Sequence, residues 1–197
     1  MRIIAGRLKG RRLAVVRGVM RPTADRVREA IFNILGPGVE GVRVLDLFAG
    51  TGAMGIEALS RGAREAIFVE HDSDSLQVLR KNLASCDLLA VTRVLPVSVP
   101  RALKQLAIQG QRFELIFLDP PYGRGLAAQT LELLAPSPLL NPETQVVVEH
   151  GCHDSLPLQG DFLTRVDQRR YGDTLISFYT WVRAADPSQA KNKEHCD

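Results

Sequence analysis

The chain has 197 residues, of which 45% are hydrophobic and 24% are charged, and its formal net charge is +3. This length predicts one domain with a sizeable core, and no apolar stretch approaches the ~18 residues that a membrane span requires. Three widely spaced cysteines without a secretory signal exclude a disulfide framework, so we expect a cytoplasmic protein that has no contact with membranes.

Positive charge is concentrated near the N-terminus. The first 30 residues hold nine basic side chains and two acidic ones, a net charge of +7, which leaves −4 for the remainder. Such a segment is typical of an arm that binds nucleic-acid phosphates, although a solubilising terminus has the same composition. The basic residues are Arg2, Arg7, Lys9, Arg11, Arg12, Arg17, Arg21, Arg26 and Arg28.

The first 38 residues are predicted to form a small unit that packs on the main domain. Two short strands around Gly6 and Gly10 are predicted to form a hairpin, and Thr23 is a predicted cap of the helix that follows. Gly36-Pro37-Gly38 ends that helix. Its apolar residues recur with helical spacing, at Val27, Ala30, Ile31, Ile34 and Leu35, whereas Arg26, Arg28, Glu29 and Asn33 take other faces.

Residues 39–185 are predicted to be an α/β domain with a mostly parallel sheet, because strand-like and helix-like segments alternate along them. Two later strand-like runs flank Gly172-Asp173 and predict an antiparallel hairpin at the sheet edge. The polar stretch 186–197 is predicted to be a disordered tail. The predicted strands cover 43–48, 65–70, 90–95, 113–119 and 144–150, and the helices cover 53–61, a segment after Asp72, 101–107 and 126–134.

A glycine loop, G-x-G-x-x-G, follows the first strand at Gly50 to Gly55, and Glu70 ends the second. Glycines allow a ligand to approach the backbone closely, and a carboxylate in that place accepts both hydroxyls of a ribose, as in NAD or S-adenosylmethionine. Asp46 favours S-adenosylmethionine, because a carboxylate repels phosphate and suits a sulfonium and an ammonium group. The alternatives are a buried acid that caps backbone groups at Asp46 and a solvated strand end at Glu70.

The tetrapeptide Asp119-Pro120-Pro121-Tyr122 follows the fourth strand. Its prolines stiffen the backbone, so Asp119 and the Pro120 carbonyl can accept two hydrogen bonds while Tyr122 offers a ring face. This arrangement complements the exocyclic amine of a nucleobase, although a turn that closes a strand is an alternative. Ligands of open α/β sheets bind between the first and fourth strands, so we expect the glycine loop and the tetrapeptide to face one crevice.

Several segments resemble known methyltransferases. "VLDLFAGTG", "FVEHD" and "FLDPPY" are similar to Rossmann-like class I S-adenosylmethionine-dependent enzymes that modify amino nitrogens of nucleobases. "RIIAGRLKGRRL", "RPTADRVREAIFNIL", "GAMGIEALSRGA" and "YGDT" resemble RsmD, the bacterial family of small-subunit (16S) ribosomal RNA guanine-N2 methyltransferases, from Arg2 to about Trp181. The resemblance implies a seven-stranded sheet with an antiparallel C-terminal hairpin.

The resemblance also implies residue roles. Asp46, Phe48, Gly50 and Gly52 would lie at the cofactor S-adenosylmethionine, Glu70 at its ribose, and Ser98 where the family commonly has Asp or Asn for the adenine amine. A backbone group is the alternative to Ser98. Asp119, Pro120 and Tyr122 would act on the guanine. The RNA-binding residues would be Arg7, Lys9, Arg11, Arg12, Arg21 and Arg26. The partner would be small-subunit ribosomal RNA, either free or within an assembling subunit. The protein would bind it as a monomer.

Two other functions fit parts of the sequence. An adenine-N6 methyltransferase of DNA or RNA would share the tetrapeptide, but the chain lacks room for a sizeable DNA target-recognition domain. A nonenzymatic RNA-binding assembly factor would not need an intact glycine loop. We expect no metal site, since His150, Cys152 and His153 are too close together for a zinc-binding pattern. Arg165, Arg169 and Arg170 fit a solvated strand face as well as an RNA contact.

Overall fold

The structure is a computed structural model that describes residues 1–16, 24–160 and 162–182. Seven strands form one sheet, and five α-helices cover it. The strands are β1 Arg43–Leu47, β2 Glu65–Val69, β3 Thr92–Leu95, β4 Leu115–Leu118, β5 Gln145–Gly151, β6 Leu163–Tyr171 and β7 Thr174–Trp181. The helices are α1 Ala24–Leu35, α2 Ala53–Ser60, α3 Ser73–Ser85, α4 Val99–Ile108 and α5 Leu126–Leu134, with short 3₁₀ turns at Gly36–Val39 and Leu89–Val91.

The sheet has the strand order β3-β2-β1-β4-β5-β7-β6. Strands β1 to β5 run parallel, and β7 lies antiparallel between β5 and β6. The predicted α/β fold with a C-terminal antiparallel hairpin is therefore confirmed. The strand order reverses between β1 and β4, which is where an open α/β sheet leaves a crevice for ligands.

Both faces of the sheet are buried. Residues 1–16, which we call the N-terminal arm, pack with α1, α2 and α3 on one face, while α4 and α5 cover the other. Every residue of β4 is buried, because apolar side chains point into both layers. None of the helices in the described part of the chain is long and apolar enough to span a membrane.

The N-terminal arm folds back on itself as a short hairpin, as predicted. Arg2 and Arg12 form an antiparallel bridge, beside which the Ile3 N–H donates to the Arg11 carbonyl and the Leu13 N–H donates to the Met1 carbonyl. Other backbone N–H groups of the arm donate to side chains of α2; Ile4 and Ala5, for example, donate to the Glu57 carboxylate. Gly6 has a φ of +79°, and a Cβ there would lie 1.8 Å from the Ser60 carbonyl oxygen, so only glycine allows this close docking.

The buried face of α1 differs from the predicted one. Val27 and Ile31 are buried as expected, but Ile34 is 44% exposed, and Phe32 and Arg28 are buried instead. Phe32 packs its ring 5.7 Å from that of Phe117 on β4, which turns the helix toward this face. The predicted cap Thr23, the cations Arg17 and Arg21, and the predicted tail 186–197 lie outside the described residues.

Candidate active site

The glycine loop and the tetrapeptide leave the same edge of the sheet. Leu47, at the end of β1, is paired with Leu118, at the end of β4, and with Val69, at the end of β2. Along the carboxyl edge, Glu70 after β2, the glycine loop after β1 and the tetrapeptide after β4 therefore lie in that order. This is the crevice that the strand order predicts as the ligand site.

The loop glycines serve two different purposes. Gly50 has a φ of +53°, and a side chain there would meet none of the described atoms within 4 Å, so the backbone is open to a ligand. Gly52 has a φ of +80°, and a Cβ there would lie 2.4 Å from Leu79 Cδ1 of α3. Gly52 therefore allows the loop to pack on α3, while Gly50 leaves room above it. Phe48, with a φ of +61°, starts the turn and is half-buried.

Asp46 lies beneath the glycine loop. Its side chain is buried, and Oδ2 accepts a hydrogen bond of 2.9 Å from the Gly55 N–H at the start of α2. Burial raises the pKa of this carboxyl to about 7; the Gly55 hydrogen bond opposes the shift, and the charge of Glu70 adds to it. The geometry is that of a buried acid that braces backbone. This matches the alternative of a buried acid that caps backbone groups, and the role of Asp46 toward a cationic cofactor stays a prediction.

Glu70 accepts hydrogen bonds from three backbone N–H groups at the end of β2. Its Oε2 accepts from the Gly50 N–H at 2.8 Å, and its Oε1 accepts from the His71 and Asp72 N–H groups. The side chain is 9% exposed, so the alternative of a solvated strand end at Glu70 is excluded. Glu70 holds the glycine loop against the second strand at the point where the loop is open.

Ser98 lies after the end of β3, where it directly precedes α4. It is exposed, and its neighbour Val97 donates its N–H to the Leu95 carbonyl. The same carbonyl accepts the Glu70 N–H, so the ends of β2 and β3 are joined. Ser98 is therefore on the cofactor edge, and its role toward an adenine stays a prediction.

The tetrapeptide is anchored by its first proline and its tyrosine. Pro120 is buried, Asp119 is exposed toward the crevice edge, and Tyr122 is half-buried. The Tyr122 hydroxyl donates to Glu149 Oε1 at 2.5 Å and lies 3.3 Å from Thr174 Oγ1. Burial, followed by the negative charge of Glu149, raises the pKa of Tyr122, so its hydroxyl remains a donor.

A second anchor holds the residue after the tetrapeptide. Asp154 accepts the Gly123 N–H through Oδ1 at 3.1 Å and the Gly151 N–H through Oδ2 at 2.9 Å. Gly151 also lies against Tyr122, since a Cβ there would be 3.3 Å from Tyr122 Cδ2. The end of β5 and the loop after it thus form a wall that fixes the tetrapeptide.

Comparison with known proteins agrees with this geometry. Residues 1–180 match the family described as conserved hypothetical protein 95. The chain is 41% identical over 158 residues to ribosomal RNA small subunit methyltransferase D of Escherichia coli strain K12, which covers 80% of this chain and 78% of that protein. The chain belongs to the RsmD family. It is a methyltransferase with the Rossmann-like class I fold, as its residues predicted.

Other relatives of the RsmD family align over more of the chain. A candidate rRNA methyltransferase of Bacillus subtilis, YlbH, is 40% identical over 180 residues, which cover 91% of this chain and 98% of that protein. The solved structure of the Escherichia coli methyltransferase candidate yhhF is 36% identical and superposes with a TM-score of 0.79, covering 93% of this chain and 98% of that one. The family match over residues 1–180 includes the N-terminal arm.

The arm presents cations on the outside of this RsmD-family protein. Arg7, Lys9, Arg11 and Arg12 are exposed, as is Arg26 on α1, while Arg21 lies outside the described residues. Arg11 is also held by the body, because its Nη1 donates to the Ser85 carbonyl at 2.9 Å. The six predicted RNA-binding residues thus include five whose positions suit a polyanion, and their role stays a prediction.

A buried ionic cluster, which was not predicted from the sequence, holds the arm. Glu57 on α2 is 1% exposed and accepts from Ile4, Ala5 and Arg61 Nε. Arg28, 3% exposed, places Nε 3.6 Å from Glu57 Oε2 and donates to the Arg2 carbonyl at 2.6 Å. Arg28 lies between apolar positions of α1, and this was the only signal in the sequence. Its partner Glu57 lies on another helix, so the pattern of α1 alone could not identify the pair.

The described residues contain no group of three or more side chains that could hold a metal ion. His150, one of the residues considered for metal binding, is buried between Gly151 and Ser177. Ser177 also accepts from Gln168, so its hydroxyl proton is available to His150 Nε2. Burial lowers the pKa of His150, which favours this neutral hydrogen-bonded form.

Proposed function

We propose that this methyltransferase transfers a methyl group from S-adenosylmethionine to the exocyclic N2 amine of a specific guanine in small-subunit (16S) ribosomal RNA. The observation that carries the proposal is the pairing of Leu47 with Leu118, which starts the glycine loop and the tetrapeptide at one edge. The relatives named as small-subunit rRNA methyltransferases support the substrate class.

The residues at the edge fit S-adenosylmethionine. Gly50 offers open backbone, and Glu70 stands at the end of β2, where a carboxylate reaches a ribose. A carboxylate oxygen has two lone pairs, so Glu70 Oε2 can accept a ribose hydroxyl in addition to the Gly50 N–H. When bound, S-adenosylmethionine supplies a methyl group that a sulfonium has already activated. Ser98 or a neighbouring backbone group would contact the adenine.

Asp119 and Pro120 would activate the acceptor. The lone pair of the guanine N2 amine is delocalised into the ring, which makes the amine a poor nucleophile. The Asp119 carboxylate and the Pro120 carbonyl would accept the two amine hydrogens and return electron density to nitrogen. Asp119 or water would take the proton that the amine loses. Most of the rate gain would come from orientation, which is worth about 7 kcal/mol or more.

Tyr122 would hold the guanine by its face. An amine at a base edge is accessible only when the nucleotide is unstacked and turned into the site. The hydrogen bond from Tyr122 to Glu149 and the wall at Gly151 keep the ring in place, so stacking costs little side-chain entropy. Such stacking would orient the amine toward Asp119 without reading the base edge.

The exposed arm cations Arg7, Lys9, Arg11 and Arg12 would bind RNA phosphates around the target, together with Arg21 and Arg26. The substrate would be ribosomal RNA within an assembling small subunit or free RNA, bound by a monomer in the cytoplasm, where ribosomes are assembled. Phosphate contacts of this kind position a nucleic acid, while the crevice selects the nucleotide.

Nucleoside mass spectrometry tests this function. Small-subunit rRNA from a strain that lacks the gene should have one N2-methylguanosine fewer than the parent, and the cloned gene should restore it. An unchanged N2-methylguanosine content would refute the assignment. Loss of N6-methyladenosine instead would favour the adenine enzyme, and binding of the RNA without any loss would favour an assembly factor.

A further inference from the structure

Asn82 is a buried polar residue on the inner face of α3, and the proposed reaction does not use it. Its side chain is 1% exposed, and α3 packs between the N-terminal arm and the glycine loop. A buried amide is costly unless its donors and acceptors are matched, so its partners show what it stabilises. Those partners belong to two separate segments.

The first segment is the N-terminal arm. The Ala14 N–H donates to Asn82 Oδ1 at 2.8 Å, and Asn82 Nδ2 donates back to the Ala14 carbonyl at 3.1 Å. This reciprocal pair is the same as a residue pair in a sheet ladder, and it fixes the arm just before its described part ends. Other anchors of the arm lie at Glu57 and Ser60 on α2 and, for the Arg11 side chain, at the Ser85 carbonyl on α3.

The second segment is the glycine loop. Asn82 Nδ2 donates to the Thr51 carbonyl at 3.0 Å, and Thr51 stands between Gly50 and Gly52. Both hydrogens of the amide are therefore in use, one on the arm and one on the loop. The bond fixes the orientation of the Thr51–Gly52 peptide group, directly beyond Gly50, whose backbone is open toward the ligand.

We propose that Asn82 is a positioning residue for cofactor binding, and that through it the N-terminal arm holds the glycine loop in its binding conformation. The inference rests on the proposed function, since it assumes that the loop binds S-adenosylmethionine and that the arm binds RNA. Asn82 is buried, so it would act through the Ala14 and Thr51 backbone rather than by contact with either ligand. It is the described side chain that hydrogen-bonds to both the arm and the loop.

The geometry separates two effects. Loss of the amide frees the Thr51 carbonyl and the Ala14 backbone together, so cofactor affinity and RNA affinity should both fall. Ser60 provides a matched contrast, because its hydroxyl accepts from the Leu8 N–H at 3.0 Å and donates to the Ala5 carbonyl. Ser60→Ala removes the hydrogen bonds to Leu8 and Ala5, and so loosens the arm on α2. The hydrogen bond from Asn82 to the Thr51 carbonyl stays in place.

The test compares Asn82→Ala, Asn82→Asp and Ser60→Ala with the wild-type chain. In Asn82→Asp, one carboxylate oxygen can still accept from the Ala14 N–H. The other oxygen replaces the amide nitrogen and cannot donate to the Ala14 and Thr51 carbonyl groups. Calorimetry with S-adenosylhomocysteine should show a dissociation constant raised about tenfold in both Asn82 variants and unchanged in Ser60→Ala. The KM for S-adenosylmethionine should rise likewise, while kcat at saturating cofactor stays within about threefold of the wild type.

Thermal unfolding shows that the variants compared are folded, and Asn82→Asp provides the measurement if Asn82→Ala does not fold. RNA affinity should fall in all three variants. Equal cofactor affinity in the wild type and a folded Asn82 variant would overturn the inference, as would an equal loss in Ser60→Ala. A wild-type chain that does not bind S-adenosylhomocysteine would instead refute the proposed function.

Discussion

Tyr122 of the tetrapeptide is hydrogen-bonded to Glu149, the fifth residue of β5, at 2.5 Å. The bond joins the loop after β4 to the neighbouring strand, and Thr174 at the start of β7 lies 3.3 Å from the same hydroxyl. Tyr122 is therefore held from two further strands. A ring held in this way would present a fixed face to the flipped base that we propose as the substrate.

Glu149→Ala should lower kcat for methyl transfer about tenfold, because the Tyr122 hydroxyl loses its charged acceptor and the ring gains freedom. Glu149→Gln keeps an acceptor oxygen and should retain most of the activity. Affinity for S-adenosylhomocysteine should not change in either variant. Steady-state kinetics with small subunits from a gene-deletion strain measure this, and equal kcat in Glu149→Ala and the wild type would show that the bond has no role in catalysis.

The arm cations should account for part of the salt dependence of RNA binding. Replacing Arg7, Lys9, Arg11 and Arg12 by alanine should weaken binding and make the slope of log K against log salt shallower, by roughly 0.7 to 0.9 for each lost phosphate contact. Arg101→Ala with Lys104→Ala is the control, since these exposed residues lie on α4 at the opposite face. Similar slopes in the arm variant and the wild type would place the RNA elsewhere.

Asp46 should make stability depend on pH. Its folded-state pKa is about 7, above the value of about 3.9 expected in an unfolded chain. The folded state therefore binds more protons between these values, and this contribution to stability is lost as pH rises from about 4 to about 7.

Asp46→Asn keeps an oxygen for the Gly55 N–H and removes the titration. The melting temperature of the variant minus that of the wild type should therefore increase from pH 4 to pH 7 and stay level above it. A difference of about 1 kcal/mol corresponds to about 2–4 °C for a domain of this size, which calorimetry resolves. A difference that does not vary with pH would mean that Asp46 keeps an ordinary pKa.

Sequence patterns predicted the parts of this protein that local chemistry decides. Helix α5 begins and ends at Leu126 and Leu134 as predicted, and the parallel strands β1 to β5 follow from the alternation of strands and helices. The glycine loop and the tetrapeptide could be placed at one edge because parallel strands end on the same side. These features depend on spacing and on the rules of α/β folds.

The remaining features depend on contacts between distant segments. Arg28 is buried because it pairs with Glu57 and donates a hydrogen bond to the Arg2 carbonyl. Helical periodicity alone predicts that a cation lies on the solvent side of a helix. Asp46 is buried under α2, which the sequence could offer only as one of two alternatives because its partner, the Gly55 N–H, belongs to the following helix. Glu149 stands in an apolar strand, and its partner Tyr122 is 27 residues earlier, so no local pattern joins them.

We propose that Asp119 activates a guanine amine while the glycine loop holds the cofactor. The most direct measurement is N2-methylguanosine formation by the purified chain, with S-adenosylmethionine and small subunits from a gene-deletion strain, for wild type and Asp119→Ala. We expect the wild type to form one N2-methylguanosine per subunit. Asp119→Ala should lose most of this activity while it binds S-adenosylhomocysteine with unchanged affinity. Equal turnover in the two proteins would contradict the account.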